Sequence, residues 1–231
     1  FGKFKDANEY LVANSSESLL NLISEEKEIP IDGVSSVGDW REKFENYLVN
    51  GMQRGFVTGI KSFDKKFSTY TGQFIVVTGI PASGKSDWVD MMCVGYNKEY
   101  GWKIAFASPE NKPNEIHAGK LISKMAGQWV RTQDQVNSKW FNEGIHVIHN
   151  SFKFIDLDVY DLEAVLEKAR QMVFKFGIKV LVIDPFNKVR LKASLNKRDT
   201  EYANDYLLMI DNFCRKYDVL VILIAHPRKP S

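Results

Sequence analysis

The stretch FIVVTGIPASGKSDWVD, residues 74–90, constrains this chain more than any other. An apolar, β-branched run enters GIPASGKS, which matches G-x-x-x-x-G-K-[ST] over residues 79–86, and a helical pattern follows. Strand, glycine-rich loop and helix in that order make a cradle for phosphates. The glycines let the loop curl so that backbone N–H groups face an anion, and the positive end of the helix dipole adds to the attraction. The residues expected to contact a nucleotide are Gly79, Ile80, Pro81, Ala82, Ser83, Gly84, Lys85, Ser86 and Asp87. Lys85 is expected to reach the β- and γ-phosphates, and the Ser86 hydroxyl to be a ligand of Mg²⁺. The competing reading, a chance glycine-rich turn, does not account for the order of the flanking elements.

A second carboxylate is needed to hold the hydrated Mg²⁺. KVLVIDPFN supplies Asp184 at the carboxyl end of a continuous apolar strand, where α/β proteins bind ligands; the bland alternative is an Asp that caps the next turn. Hydrolysis also needs a group that polarises water. Glu110, in IAFASPENKP, follows another strand and suits that role if its strand neighbours the phosphate loop. His226, after the apolar run VILIA, is placed to sense the γ-phosphate, although a histidine at a strand end is often only a satisfied polar group. IHVIH reads as a strand, which would send His146 and His149 to opposite faces. His117 reads as a helix-surface residue, and no structural metal site is expected.

From residue 55 onward, short β-rich runs alternate with helical patterns, which predicts a mostly parallel sheet flanked by helices. Residues 1–50 read differently, as three helical segments with Ser15 or Ser16 as an N-cap and a turn-rich EIPIDG between the second and third. The chain starts at Phe1 and reads as a fragment of something longer. At 231 residues it can hold one large α/β domain with a small appendage, and a net charge of +2 neither favours nor excludes nucleic acid. Cys93 and Cys214 fall in apolar helical patterns, as buried thiols of a reducing compartment do. No apolar run approaches the roughly 20 residues of a membrane-spanning helix, so no membrane partner is expected.

Taken as a set, these motifs resemble the helicase core of the DnaB/Twinkle family, the ring helicases of DNA replication. RGFVTGIKSFDKKFSTYTGQFIVVTGIPASGKSDW looks like the family's entry into its core, including Thr58, Gly59 and Asp64. SPEN resembles the segment that carries the family's catalytic glutamate, here Glu110. VLVIDPFN resembles the second nucleotide motif, and IAHPRKP the third in its Twinkle-like form, with His226 as γ-phosphate sensor. The resemblance implies a RecA-like P-loop NTPase over residues 51–231, with a helical linker over 15–50. KDANEYL resembles the end of a TOPRIM primase domain, which makes residues 1–14 its remnant. The implied activity is a replicative DNA helicase that uses ATP or dNTP, with Mg²⁺, to move on single-stranded DNA and unwind duplex. The implied assembly is a homo-oligomeric ring, hexameric by analogy, in which the linker helix, here DWREKFENYLVNGM, packs on a neighbour; the alternative is a helix that packs on its own domain. In the family the chain continues past the third motif to an arginine finger, so this stretch alone is expected to bind nucleotide but hydrolyse it poorly. The implied compartment is the cytoplasm of a bacterium or phage-infected host, or a mitochondrial matrix.

NKVRLKASLNKR, residues 187–198, carries Lys188, Arg190, Lys192, Lys197 and Arg198 with no acidic residue. It is a candidate grip on the sugar-phosphate backbone of one DNA strand, set against the alternative of a solvated loop. Arg228 and Lys229 resemble basic residues near the family's interfacial nucleotide site, which makes them candidates for contacts to a neighbouring subunit's nucleotide. Two other functions share the fold and first motifs: a RecA-like recombinase, and a regulatory ATPase or loader whose nucleotide governs assembly without powered motion.

Overall fold

The computed structural model describes residues 4–24, 31, 33–51, 55–191 and 199–227. The chain divides into two units, Phe1–Gln53 and Arg54–Ser231. The first holds helices α1 (Ala7–Ala13), α2 (Ser16–Ser24) and α3 (Arg41–Asn50), none of which has a buried residue. Ser15 caps α2, its hydroxyl accepting the Ser18 N–H at 3.1 Å. On α3 and the turn before it, Trp40, Phe44, Tyr47, Leu48 and Val49 are exposed.

The second unit follows in the order α4 (Lys61–Asp64), β1 (Phe74–Thr78), α5 (Lys85–Tyr100), β2 (Lys103–Ala107), α6 (Asn114–Ala126), α7 (Lys139–Ser151), β3 (Phe152–Phe154), α8 (Leu162–Phe176), β4 (Ile178–Ile183), α9 (Asp199–Tyr217) and β5 (Leu220–Ala225). The five strands form one sheet in the order β1-β5-β4-β2-β3, and every pair is parallel. β4 and β5 are central and nearly all buried, which explains their unbroken apolar sequence. Side chains alternate between two cores. Ala105, Leu181, Ile183, Val221 and Leu223 face α8 and α9. Ile104, Phe106, Val180, Val182 and Ile222 face α5, α6 and α7. Each buried Ile, Leu or Val contributes roughly 1.5–3 kcal/mol by leaving water. Cys93 and Cys214 are buried free thiols, and burial pushes the Cys214 thiol up to about 12.

One expected strand is a helix. IHVIH lies in α7, because Trp140, Phe141, Gly144, Val147 and Ile148 recur at helical spacing on its inner side, and the Ser138 hydroxyl accepts the Phe141 N–H at its start. The β-branched residues imitate a strand, while Gly144 lets α7 approach Ile122 of α6. His146 and His149 are therefore both on the outer side of a helix, and His146 meets Asn150 one turn on at 2.9 Å. The strand in this region is the short β3.

The Thr58-Gly59…Asp64 segment is a clamp. The Asp64 carboxylate accepts both the N–H and the hydroxyl of Thr58, at 2.7 and 2.8 Å. This holds the Thr58 backbone against α5 at Gly95, where an added Cβ would lie 1.6 Å from the Thr58 carbonyl oxygen. Gly95→Ala is expected to push the clamp off the helix and destabilise the domain by about 3 kcal/mol; urea denaturation of the two proteins measures the difference.

Candidate functional site

Parallel pairing puts the carboxyl ends of all five strands on one edge of the sheet, and the phosphate loop, Glu110, Asp184 and His226 all follow strands that end there. The phosphate loop leaves β1, Glu110 follows β2, Asp184 follows β4 and His226 follows β5. Ala82 and Gly84 adopt left-handed backbone (φ 61° and 82°), a bend of the kind by which anion-binding backbone concavities are formed, at the start of α5. The Lys85 ammonium, buried, donates to the carbonyl oxygens of Gly79 and Ile80 at 2.7 and 2.8 Å, so the lysine is folded over its own loop.

Asp184 is 4% exposed. Burial holds its carboxyl above the usual carboxylate range, and the charges of Asp90 and Glu110 push the same way. The hydrogen-bonding Ser86 hydroxyl and His226 oppose the shift. Asn111 also donates to Asp184, Nδ2 to Oδ2 at 3.0 Å. Ser86 and Asp184 thus present two oxygen donors side by side, one of them a buried carboxylate whose charge a cation would stabilise. That donor set fits Mg²⁺, which takes one or two protein oxygens and fills the rest with phosphates and water.

Glu110 reaches this group by a route that the sequence did not suggest. Its strand, β2, does not neighbour β1; β4 and β5 stand between them, about 14 Å of sheet at ~4.8 Å per strand. The loop after β2 spans the gap. Glu110 Oε2 lies 3.8 Å from His226 Nε2 and Oε1 lies 4.0 Å from Lys188 Nζ. Lys188, expected to grip DNA, therefore stands beside the candidate catalytic carboxylate. Arg190 is exposed, but its backbone is fixed, donating to Tyr160 and accepting from Leu162 at the start of α8. Lys192, Lys197, Arg198, Arg228 and Lys229 lie outside the described residues. Asp87 is paired with Lys124 at 2.7 Å, and that bond lowers its carboxyl below the usual range.

A buried polar pair had no signal strong enough to read from sequence. His117 is not a surface residue: it is 2% exposed, packed edge-on against Phe106, with Nε2 2.9 Å from Asp90 Oδ1. Lys124 lies 3.8 Å from the other oxygen of Asp90. Asp90 is one helical turn beyond Ser86, and His117 is on the helix that follows the Glu110 loop. The pair therefore ties the phosphate-loop helix to the helix that follows the Glu110 loop. His117→Ala is expected to cost about 3 kcal/mol in urea denaturation, because it strands a buried carboxylate and opens space under Phe106.

No protein-family model matches the chain. It is 33% identical over 237 aligned positions to the Twinkle homolog protein of Arabidopsis thaliana, chloroplastic/mitochondrial, covering 98% of this chain and 33% of that one. It is 26% identical over 175 positions to a probable plasmid replicative DNA helicase of Chlamydia psittaci, covering 71% of this chain and 36% of that one. It is 20% identical over 244 positions to the DNA helicase/primase of enterobacteria phage T3, covering 98% and 42%. The chain therefore spans between 33% and 42% of the length of these relatives. Among solved structures, an ATPase domain aligns with a TM-score of 0.67 at 17% identity, over 86% of this chain and 73% of that one. A DnaB-like replicative helicase, studied with primase, aligns with a TM-score of 0.63 at 16% identity, over 95% and 55%. At these identities the structural likeness establishes the fold alone, a RecA-like core.

Proposed function

We propose that this chain, a helicase domain of the DnaB/Twinkle family, is the motor of a replicative DNA helicase that couples ATP or dNTP hydrolysis to movement along single-stranded DNA and unwinding of duplex. The observation that carries the reading is the convergence of Lys85, Ser86, Asp184, Glu110 and His226 on one sheet edge, with Glu110 3.8 Å from His226. In this reading the loop N–H groups of residues 79–84 and the Lys85 ammonium hold the phosphates. Ser86 and Asp184 hold Mg²⁺, which neutralises charge on the transferred phosphoryl group. Glu110 orients and deprotonates the attacking water, and His226 detects the γ-phosphate and its loss.

The basic stretch of Lys188, Arg190, Lys192, Lys197 and Arg198 would contact the DNA backbone without reading sequence. Head-to-tail packing into a ring, hexameric by analogy, would let Arg228 and Lys229 reach a neighbour's nucleotide. The exposed apolar side chains of α3 suit a linker over residues 15–50 that packs on a neighbour, and residues 1–14 are read as the tail of a primase-type domain. The setting would be a compartment where DNA replicates: the cytoplasm of a bacterium or infected host, or an organelle matrix. Among the described residues no helix is long and apolar enough to cross a membrane.

Steady-state hydrolysis by the full-length protein, with and without single-stranded DNA, tests this. DNA is expected to stimulate turnover, and Glu110→Gln to lower kcat by roughly 10²-fold or more while fluorescent-nucleotide binding persists. Turnover indifferent to DNA would overturn the helicase reading in favour of a regulatory ATPase.

A further inference from the structure

We infer that Asn111 is a positioning residue, whose side-chain amide sets the orientation of Asp184 and, through the same loop, the place of Glu110. The inference rests on the proposed roles of those two carboxylates. Asn111 Nδ2 donates to Asp184 Oδ2 at 3.0 Å, joining positions 73 apart in sequence. The direction is unambiguous, since an ionised carboxylate only accepts. The Asn111 N–H donates to the Ser108 carbonyl at 3.1 Å, closing a turn immediately after β2. The Asp184 N–H donates to the Ala107 carbonyl at 3.0 Å. The ends of β2 and β4 are therefore joined twice, once by backbone and once by the Asn111 side chain.

Glu110 sits within that turn, and Lys112, two residues further on, pairs with Asp156. A half-exposed carboxylate on a loop is ordinarily free to wander; here Ser108 before it and Asn111 after it are joined by the turn's hydrogen bond, and Asn111 is in turn held by Asp184. The choice of amide matters chemically. A lysine or arginine at position 111 would orient Asp184 but also cancel its charge and compete with a divalent cation. An aspartate there would repel it. Asparagine donates one hydrogen bond and adds no charge, so Asp184 keeps its negative charge for a cation while losing its rotational freedom. This is how groups outside the immediate coordination sphere tune a metal site, and their removal typically costs about 10- to 100-fold in metal affinity or activity.

The test is a double-mutant cycle on Mg²⁺-dependent binding of a fluorescent ATP analogue to the full-length protein, using Asn111→Ala, Asp184→Asn and the pair. Asn111→Ala is expected to raise the Mg²⁺ midpoint about 10-fold, with binding in EDTA unchanged, which also reports an intact phosphate loop. In the Asp184→Asn background the same change is expected to have little further effect, because the two residues act as one unit. An unchanged midpoint in Asn111→Ala, with Asp184→Asn shifted, overturns the role of Asn111 and leaves the site reading intact. So does an equal shift in both backgrounds. If Asp184→Asn leaves the midpoint unchanged, Asp184 is not the Mg²⁺ carboxylate, and the site reading falls together with the inference.

Discussion

The pairing of β4 between β2 and β5 is the constraint on which the rest depends. Three strands that begin at Lys103, Ile178 and Leu220, far apart in sequence, are held in parallel register at ~4.8 Å spacing. Only that register brings the residues after them to one edge. β4 and β5 have no exposed position to shift into; a one-residue slip would exchange the α5–α6–α7 core for the α8–α9 core at every side chain. The two cores differ in composition: one holds Phe106, Phe152 and Tyr96, the other Ala105, Ala107 and Tyr206. The edge geometry of the site is therefore a by-product of core packing.

Much of this was legible because its signals are local. The phosphate loop is contiguous, with glycine where left-handed backbone is required, and β4 announces itself as a run covered on both sides. What the sequence hid is what depends on neighbours far along the chain. Strand order places β4 and β5 between β1 and β2, and no local pattern reports that. His117 sits on a helix amid Asn, Glu, Gly and Lys, a polar context that reads as surface, and only the fold reveals Asp90 beneath it. IHVIH carries three β-branched residues in five, so strand propensity outweighed the wider helical spacing that begins at Trp140. Asn111 was in plain view beside Glu110, but asparagine in a turn is so common that its bond to Asp184 has no sequence signature.

The clamp at Thr58 and the Asp90–His117 pair act on the same helix from different sides. One fixes α5 through a backbone contact at Gly95, the other through a buried hydrogen bond one turn beyond Ser86. The phosphate loop is the start of that helix, so its position relative to the sheet edge is set by groups that touch no phosphate. This separates two demands. The loop takes left-handed backbone at Gly84, which glycine adopts freely, and at Ala82, where it is strained and persists only where the surroundings hold it.

The distribution of counter-charge makes the same division. Two buried carboxylates, Asp90 and Asp184, lie close enough for the first to raise the proton affinity of the second. Asp90 receives His117 at 2.9 Å and Lys124 at 3.8 Å. Asp184 receives the neutral donors Ser86 and Asn111, and among the described residues no lysine or arginine lies within ion-pair distance of it. Asp90 is thus compensated by cationic partners, while Asp184 is oriented by neutral donors. An uncompensated buried charge costs several kcal/mol unless something binds it, and at Asp184 a divalent cation arriving with a nucleotide would remove that cost.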